Sequence, residues 1–365
     1  MNSSLKYRLK KGLEKTKYGK NVLRLIRTSS KITYPLRNKL RHLLGKVDML
    51  YLDVTHACNL KCISCPTSAG VKKGNELNLE EQKLVILQAK KMGAKHVALC
   101  GSGEPLLYED IYTLIDFIRS NNMTVTIFTN GTCLTRRSAD FLITRSVEVF
   151  FKLWSFDPFI VDRMTGTEQA YKWVDFSYKY NGTVKSLKIP SGLKFLLHIA
   201  EEHNRKDLVG IEVLITRMNY SSIKDVVRFC KEAKLGLWLE TILFHGRVID
   251  YLRDVALKPK AYRFLYHELV EIMGKRYFDR DRRQICPTER NPVVFVNGDV
   301  GFCSSRKANI GNVRQKPLRT LFLQAQRLKR KEDYLIDKKK VKSSYFRACR
   351  ARQYYHIRYG IPCNY

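Results

Sequence analysis

The chain has 365 residues, 44% hydrophobic and 11% aromatic, enough to bury a sizeable core in more than one domain. No run approaches the ~20 apolar residues of a membrane span and no apolar signal segment opens the sequence, so a cytoplasmic protein with reduced thiols is expected. A formal net charge of +33 favours anionic partners, and ten cysteines in a reducing compartment point to metal or catalysis before disulfides.

Residues 1–46 carry nine Lys and five Arg against Glu14 alone, a net +13. Leu5, Leu9 and Leu13 share one helical stripe. Leu36, Leu40, Leu43 and Leu44 share another, between Pro35 and Gly45. Such a basic amphipathic extension can pack on the main domain or lie on an anionic membrane surface, peripheral to the bilayer. No RNA-binding motif accompanies the charge, which ranks nucleic acid below the other anionic partners.

From Leu50 onward the pattern repeats strand, loop and helix. Apolar runs predict strands over 51–55, 96–101, 124–131, 147–155, 210–219 and 237–246. A helix is expected over 79–92, where Asn78 can cap, Glu81 sits at the third position and Gly93 stops it. Others are expected over 110–120, 138–144, 168–180, 192–203 (capped by Ser191), 222–234 and 258–273. Six strands alternating with helices predict an α/β fold with a parallel sheet, whose chemistry sits at the C-terminal strand ends. The expected division is 1–46 as basic extension, 47–250 as the main domain, 251–284 as helical linker and 285–365 as a second, smaller domain.

Three cysteines crowd the loop after the first strand: "HACNLKCISCP" holds Cys58, Cys62 and Cys65. Zinc with His56 as fourth ligand is one reading, although structural zinc sites pair their ligands with a distant second pair. Iron–sulfur clusters are held by thiolates at this short spacing, and three thiolates on a four-iron cube leave one iron open for chemistry.

C-x3-C-x2-C after a first strand resembles the radical S-adenosylmethionine superfamily. That resemblance implies a partial (β/α)6 TIM-like barrel and a 4Fe-4S cluster whose open iron binds S-adenosylmethionine. Reductive cleavage there gives a 5′-deoxyadenosyl radical that takes hydrogen from a C–H bond. "CGSGEPLL" (100–107) is similar to the family's Gly-Gly-Glu-Pro motif, with Ser102 in place of the first glycine and Gly103, Glu104 and Pro105 matching. The "TNGT" turn brings Thr129 and Asn130 to the third strand end. "LWSFDPFIVDRMTG" resembles the family's fourth-strand region, where Ser155 matches a ribose or carboxylate contact and Arg163 a carboxylate partner. Asn219 matches a position near the adenine or ribose. Ser64 departs from the family, which often has an aromatic residue before the third cysteine.

Cys286, Cys303, Cys349 and Cys363, with the turn "NGD" and "IGNV", resemble a SPASM or twitch extension. They imply a small α+β iron–sulfur domain with one auxiliary cluster; a zinc ribbon or unligated thiols are the alternatives. Cys100 is a candidate hydrogen-atom donor, and Glu240, His245 and Arg247 are placed to meet a substrate. The implied partners are an electron donor such as a flavodoxin or ferredoxin and a peptide or protein substrate. A sugar, lipid-linked glycan or other small molecule (epimerised or dehydrogenated) is the alternative, and RNA modification or a non-catalytic iron–sulfur protein a further one.

Overall fold

The computed structural model describes residues 45–100, 102–243, 245–274, 277, 291–301 and 310–338. It separates two compact units, Met1–Lys46 and Val47–Tyr365. The expectations for residues 1–44 and for Cys286, Cys303, Cys349 and Cys363 lie outside the described residues.

Six parallel strands form the frame: β1 (Met49–Asp53), β2 (His96–Cys100), β3 (Thr124–Thr129), β4 (Val147–Lys152), β7 (Val209–Ile215) and β8 (Gly236–Thr241). Their crossovers run through α1 (Leu79–Met92), α2 (Ile111–Ser120), α3 (Arg136–Thr144), α5 (Ser191–Glu202) and α6 (Ile223–Glu232), with α4 (Pro158–Thr165) just after β4. Leu50, Leu52, Val97, Leu99, Ile127, Val149, Phe151, Ile211 and Val213 point to the helices and are buried in one continuous core. The two-residue strand period turns the intervening side chains to the opposite, concave face. The sheet is open, in the order β1-β2-β3-β4-β7-β8 and extended beyond β1 by β9 (Val293–Val294) and then β10 (Val300–Gly301), so the architecture is a partial barrel with β10 and β8 at its edges.

Local signals account for much of this. Asn78 and Glu81 make a complete capping box on α1, and Gly93 closes it in the left-handed conformation at φ 104°. In α6, Ile223, Val226, Val227 and Cys230 recur at helical spacing and are all buried, so Cys230 is a core residue.

Two expectations are corrected. Residues 168–180 are not a helix: β5 (Trp173–Tyr180) pairs antiparallel with β6 (Thr183–Pro190) in a separate hairpin. Its turn is Asn181–Gly182, both at positive φ (49° and 80°), a two-residue connection whose twist matches that of paired strands. Phe176 and Tyr178 use the inner face of the hairpin to pack edge-on against Phe229. Ser191 begins α5 as its first residue, after Pro190.

After α7 (Leu252–Val255) and α8 (Pro259–Met273), the predicted hairpin around "NGD" appears as β9 (Val293–Val294) and β10 (Val300–Gly301). It joins the main sheet, because β9 pairs parallel with β1. A last helix, α9 (Leu318–Lys338), buries Leu318, Leu321 and Phe322. Just before it, Arg314 grips Glu81 of α1 with two nitrogens, at 2.6 and 2.8 Å. Among the described residues, no helix is long and apolar enough to cross a membrane.

Candidate active site

The cysteine loop leaves the C-terminal end of β1 and is pinned along its length. Cys58 N–H donates to Gly70 O (2.7 Å), Lys61 N–H to Thr165 O (3.0 Å) and Ile63 N–H to Met164 O (3.1 Å). A Cβ on Gly166 would lie 2.5 Å from Lys61 O, so α4 can end against the loop only with glycine there. Cys58, Cys62 and Cys65 are free thiols, each partly exposed. Cys65 Sγ accepts the Ala69 N–H at 3.4 Å and meets the Thr67 hydroxyl at 3.3 Å. Burial pushes the Cys62 thiol up to about 12, with the adjoining Cys65 and Cys58 sulfurs adding to the shift, and burial also raises Cys58. These thiols therefore need a cation or metal to become thiolates, and loading would release protons.

The donor set fits a cluster better than zinc. His56 turns its two ring nitrogens to Val71 O and Thr67 O, at 3.1 and 3.3 Å, and does not complete a zinc site. Among the described residues, no three His, Cys, Asp or Glu side chains come close enough to share one ion. Sulfurs arranged around a four-iron cube stand further apart than sulfurs around a single ion.

Beside this loop stand the ends of β2, β3 and β4. Gly103 passes so close to the loop's root that a Cβ would lie 2.7 Å from both His56 C and Thr55 O, and closer still to Ala57 O. That approach lets Glu104 N–H donate to Ala57 O at 2.8 Å. The Glu104 carboxylate is 2% exposed and accepts from the Thr129 hydroxyl (2.6 Å), Asn130 N–H (2.6 Å) and Leu106 N–H (3.0 Å). Burial raises its pKa, and those hydrogen bonds with the Lys152 charge pull it back. A carboxylate offers about four acceptor positions, so one remains for an ammonium. Asn130 Nδ2 donates to Asn59 Oδ1 (3.1 Å) and reaches Cys58 Sγ at 4.0 Å, tying the third strand end to the loop. Ser102 donates to Asp53 at 2.7 Å, which the usual glycine could not do. Ser155 is fully buried at the end of β4 and accepts the Asp157 N–H at 3.0 Å.

Four expected contacts are placed differently. Arg163 is exposed on α4 and lies over Phe159, 5.7 Å from its ring. Asn219 spends its whole amide on the protein. Its oxygen accepts Thr216 N–H (2.9 Å) and hydroxyl (2.8 Å), while its nitrogen donates to Trp154 O (2.9 Å) and Leu214 O (2.8 Å). It clips the chain just after β4 to the end of β7. His245 and Arg247 hold the cysteine loop. His245 Nδ1 bonds Pro66 O; the Arg247 guanidinium donates to Cys62 O (3.0 Å) and to Ala69 O, and Arg247 N–H donates to Cys65 O (3.0 Å). Gly246 between them allows this, since a Cβ would come 2.7 Å from Cys65 O. Removing such supports commonly costs 10–100-fold in metal affinity. Arg247→Ala should therefore lose iron to a chelator at least tenfold faster than the parent, timed by the cluster absorbance.

The concave face continues below the loop. Asp53 and Cys100 are register partners on β1 and β2, and Lys152 and Glu212 on β4 and β7. Burial would lower the Lys152 ammonium, but Glu212, Glu104 and the thiols of Cys62 and Cys65 hold it above its usual value. Burial, with Asp53 and Glu212 nearby, raises the Cys100 thiol well above its usual value and keeps it protonated. Phe128 stacks on Phe150 (5.2 Å), and Trp238 meets both edge-on. Glu240 accepts the Trp238 N–H at 2.5 Å. Lys152 and Glu212 were not singled out from the sequence; the strand period alone would have placed both on this face.

Residues 52–181 match the family model described as the Radical SAM superfamily. This segment is a radical SAM domain. Among proteins, the chain is 32% identical over 222 residues to the mycofactocin maturase MftC of Mycolicibacterium smegmatis, covering 60% of this chain and 50% of that one. It is 22% identical over 301 residues to the tungsten-containing aldehyde ferredoxin oxidoreductase cofactor-modifying protein of Pyrococcus furiosus, covering 74% and 79%. The chain thus spans about half the length of the mycofactocin maturases it matches. Streptococcus suis SuiB, solved with S-adenosylmethionine, superposes with a TM-score of 0.57 at 16% identity, over 79% of this chain and 68% of that one. Native anSMEcpe, solved with AdoMet and the Cp18Cys peptide, gives 0.52 at 17%, over 76% and 80%. Those two likenesses establish a shared fold around the radical SAM domain.

Proposed function

We propose that this chain is a radical SAM enzyme that modifies a peptide. The carrying observation is the loop of three free thiols, pinned beside the buried acceptor of Glu104 at the C-terminal strand ends. When bound, a reduced 4Fe-4S cluster supplies the electron that splits S-adenosylmethionine, and the resulting radical takes hydrogen from a substrate C–H bond. Cys58, Cys62 and Cys65 would hold the cluster. Glu104 offers its remaining acceptor position to the ammonium of S-adenosylmethionine, and Ser155 its hydroxyl to the ribose or carboxylate. The concave face, with Lys152, Glu212 and the Phe128–Phe150–Trp238 cluster, would line the space open to the substrate. Support for a peptide comes from relatives named as maturases and from SuiB, solved with its precursor peptide SuiA.

Further parts of this reading are a catalytic domain over 47–250, an auxiliary cluster on Cys286, Cys303, Cys349 and Cys363, a ferredoxin- or flavodoxin-type electron donor, and residues 1–46 on an anionic surface. Anaerobic reconstitution with iron and sulfide, then reduction with S-adenosylmethionine present, tests the core of it. The expected product is 5′-deoxyadenosine, formed faster with a peptide encoded beside this protein. No 5′-deoxyadenosine from a fully loaded, reduced protein would overturn the proposal.

A further inference from the structure

The turns "NGD" (297–299) and "IGNV" (310–313) take no part in the chemistry above, yet they are joined into one support. Asn312 Nδ2 donates to Asn297 O (2.8 Å) and to Asp299 Oδ1 (3.0 Å). Val300 N–H donates to Gly311 O and Val313 N–H to Gly298 O, both at 2.9 Å, so the second turn is fastened to the β9–β10 hairpin. Asn312 Oδ1 accepts the Arg314 N–H at 3.0 Å and fixes where that side chain starts. Besides Glu81, the Arg314 guanidinium donates to Asn75 O (3.1 Å), Glu76 O (3.1 Å) and Asn297 O (3.2 Å). An exposed ion pair alone contributes little, but a planar fork that also satisfies three carbonyls imposes one geometry.

Glu76 carries that geometry to the cysteine loop. Its carboxylate accepts the His56 N–H (2.8 Å), the Lys73 N–H (2.9 Å) and the Thr55 hydroxyl (3.0 Å). Thr55 Oγ1 in turn accepts the Ala57 N–H at 3.1 Å, and Gly70 N–H donates to His56 O at 3.1 Å. These three residues immediately precede Cys58, and theirs is the backbone that a Cβ on Gly103 would strike. The root of the loop is thus gripped from two sides, by Gly103 and Glu104 at the end of β2 and by Glu76 under Arg314.

We infer that Arg314, acting through Glu76, is a positioning residue for the cysteine loop: the segment after β10 sets where Thr55, His56 and Ala57 stand, and with them Cys58. Its consequence for a cluster rests on the reading that this loop holds one, so the loop itself is measured first without iron. Amide hydrogen exchange, followed by mass spectrometry on the full chain before reconstitution, reports it directly. Arg314→Leu should speed exchange over 55–70 roughly tenfold and leave α5 at the parental rate. Glu76→Gln, with Arg314 in place, should act in the same way over that stretch. Arg314→Lys, which keeps the charge and loses the fork, should fall between the parent and Arg314→Leu. Arg136→Leu removes a two-oxygen pair with Glu202 between α3 and α5, both contacts at 2.8 Å, and should match the parent over 55–70. After loading, the reduced cluster of Arg314→Leu should give a shifted paramagnetic spectrum and lose iron to a chelator faster than the parent. Parental exchange over 55–70 in either Arg314→Leu or Glu76→Gln would overturn the inference. So would equal acceleration throughout the domain, the mark of a general loss of stability, or a cluster spectrum identical to the parent's. If Arg314→Leu does not fold, Glu76→Gln and Arg314→Lys decide by the same criteria. A loaded parent that makes no 5′-deoxyadenosine would instead remove the radical SAM reading and leave the exchange result standing.

Discussion

Replacing Cys58, Cys62 and Cys65 together by alanine should reduce 5′-deoxyadenosine formation to background, with iron content lower by about four atoms per chain. Alanine is the informative substitution, because a serine oxygen can still ligate weakly. The loop should survive the change, since its position depends mainly on backbone bonds from Cys58, Lys61 and Ile63 and on the Arg247 clamp, while the thiols add only long contacts to Ala69, Thr67 and Asn130. Removing the high-pKa thiols from a half-buried site should leave the apo melting temperature close to that of the parent. Product analysis and iron counting on the same sample give the outcome. Iron that stays bound in the triple variant reports ligands elsewhere in the chain, the place proposed for Cys286, Cys303, Cys349 and Cys363. A triple variant that still makes 5′-deoxyadenosine at the parental rate would show that the thiols do not hold the working cluster.

The parts of this site that could be read from the sequence are those whose signal is local. The cysteine spacing, the Gly103–Glu104–Pro105 turn and the Asn78–Glu81 capping box each lie within a few residues, and each stands where it was expected. The hairpin was local too, with Asn181–Gly182 as its signal. Trp173, Phe176 and Tyr180 also recur near helical spacing, a local signal that competes with it. Contacts across long stretches of chain are different. His245 and Arg247 meet the loop some 180 residues earlier (179 and 185 apart), and their types suit a substrate site as well as a clamp. Asn219 reaches the Trp154 carbonyl 65 residues away and saturates itself there. Nothing in the neighbouring sequence marks either partner. The concave face is an intermediate case: strand alternation assigns Lys152 and Glu212 to it, but only strand order makes them neighbours.

Gly103→Ala is the substitution outside the ligands with the largest expected effect. Its Cβ would meet three backbone atoms of the loop's root, Thr55 O, His56 C and Ala57 O, at distances no real Cβ tolerates. No flexible side chain can give way, so the strand end or the loop must move. Overpacking of this kind typically costs about 1–3 kcal/mol, readable as a lower denaturation midpoint. The larger consequence is geometric. The shift would break the Glu104 N–H to Ala57 O bond and displace the carboxylate that Thr129, Asn130 and Leu106 hold. A misplacement of about 1 Å in a positioning group can cost on the order of a hundredfold, so 5′-deoxyadenosine formation should fall by that much. Gly70→Ala is the matched control on the same loop. Gly70 has open space around its Cβ position and no unusual φ, so stability should stay within about 0.5 kcal/mol and the rate near the parent's. Equal losses in the two variants would mean that the loop tolerates no added methyl anywhere. A normal rate in Gly103→Ala would reduce the Gly103–Glu104 turn to an ordinary connection between a strand and a helix.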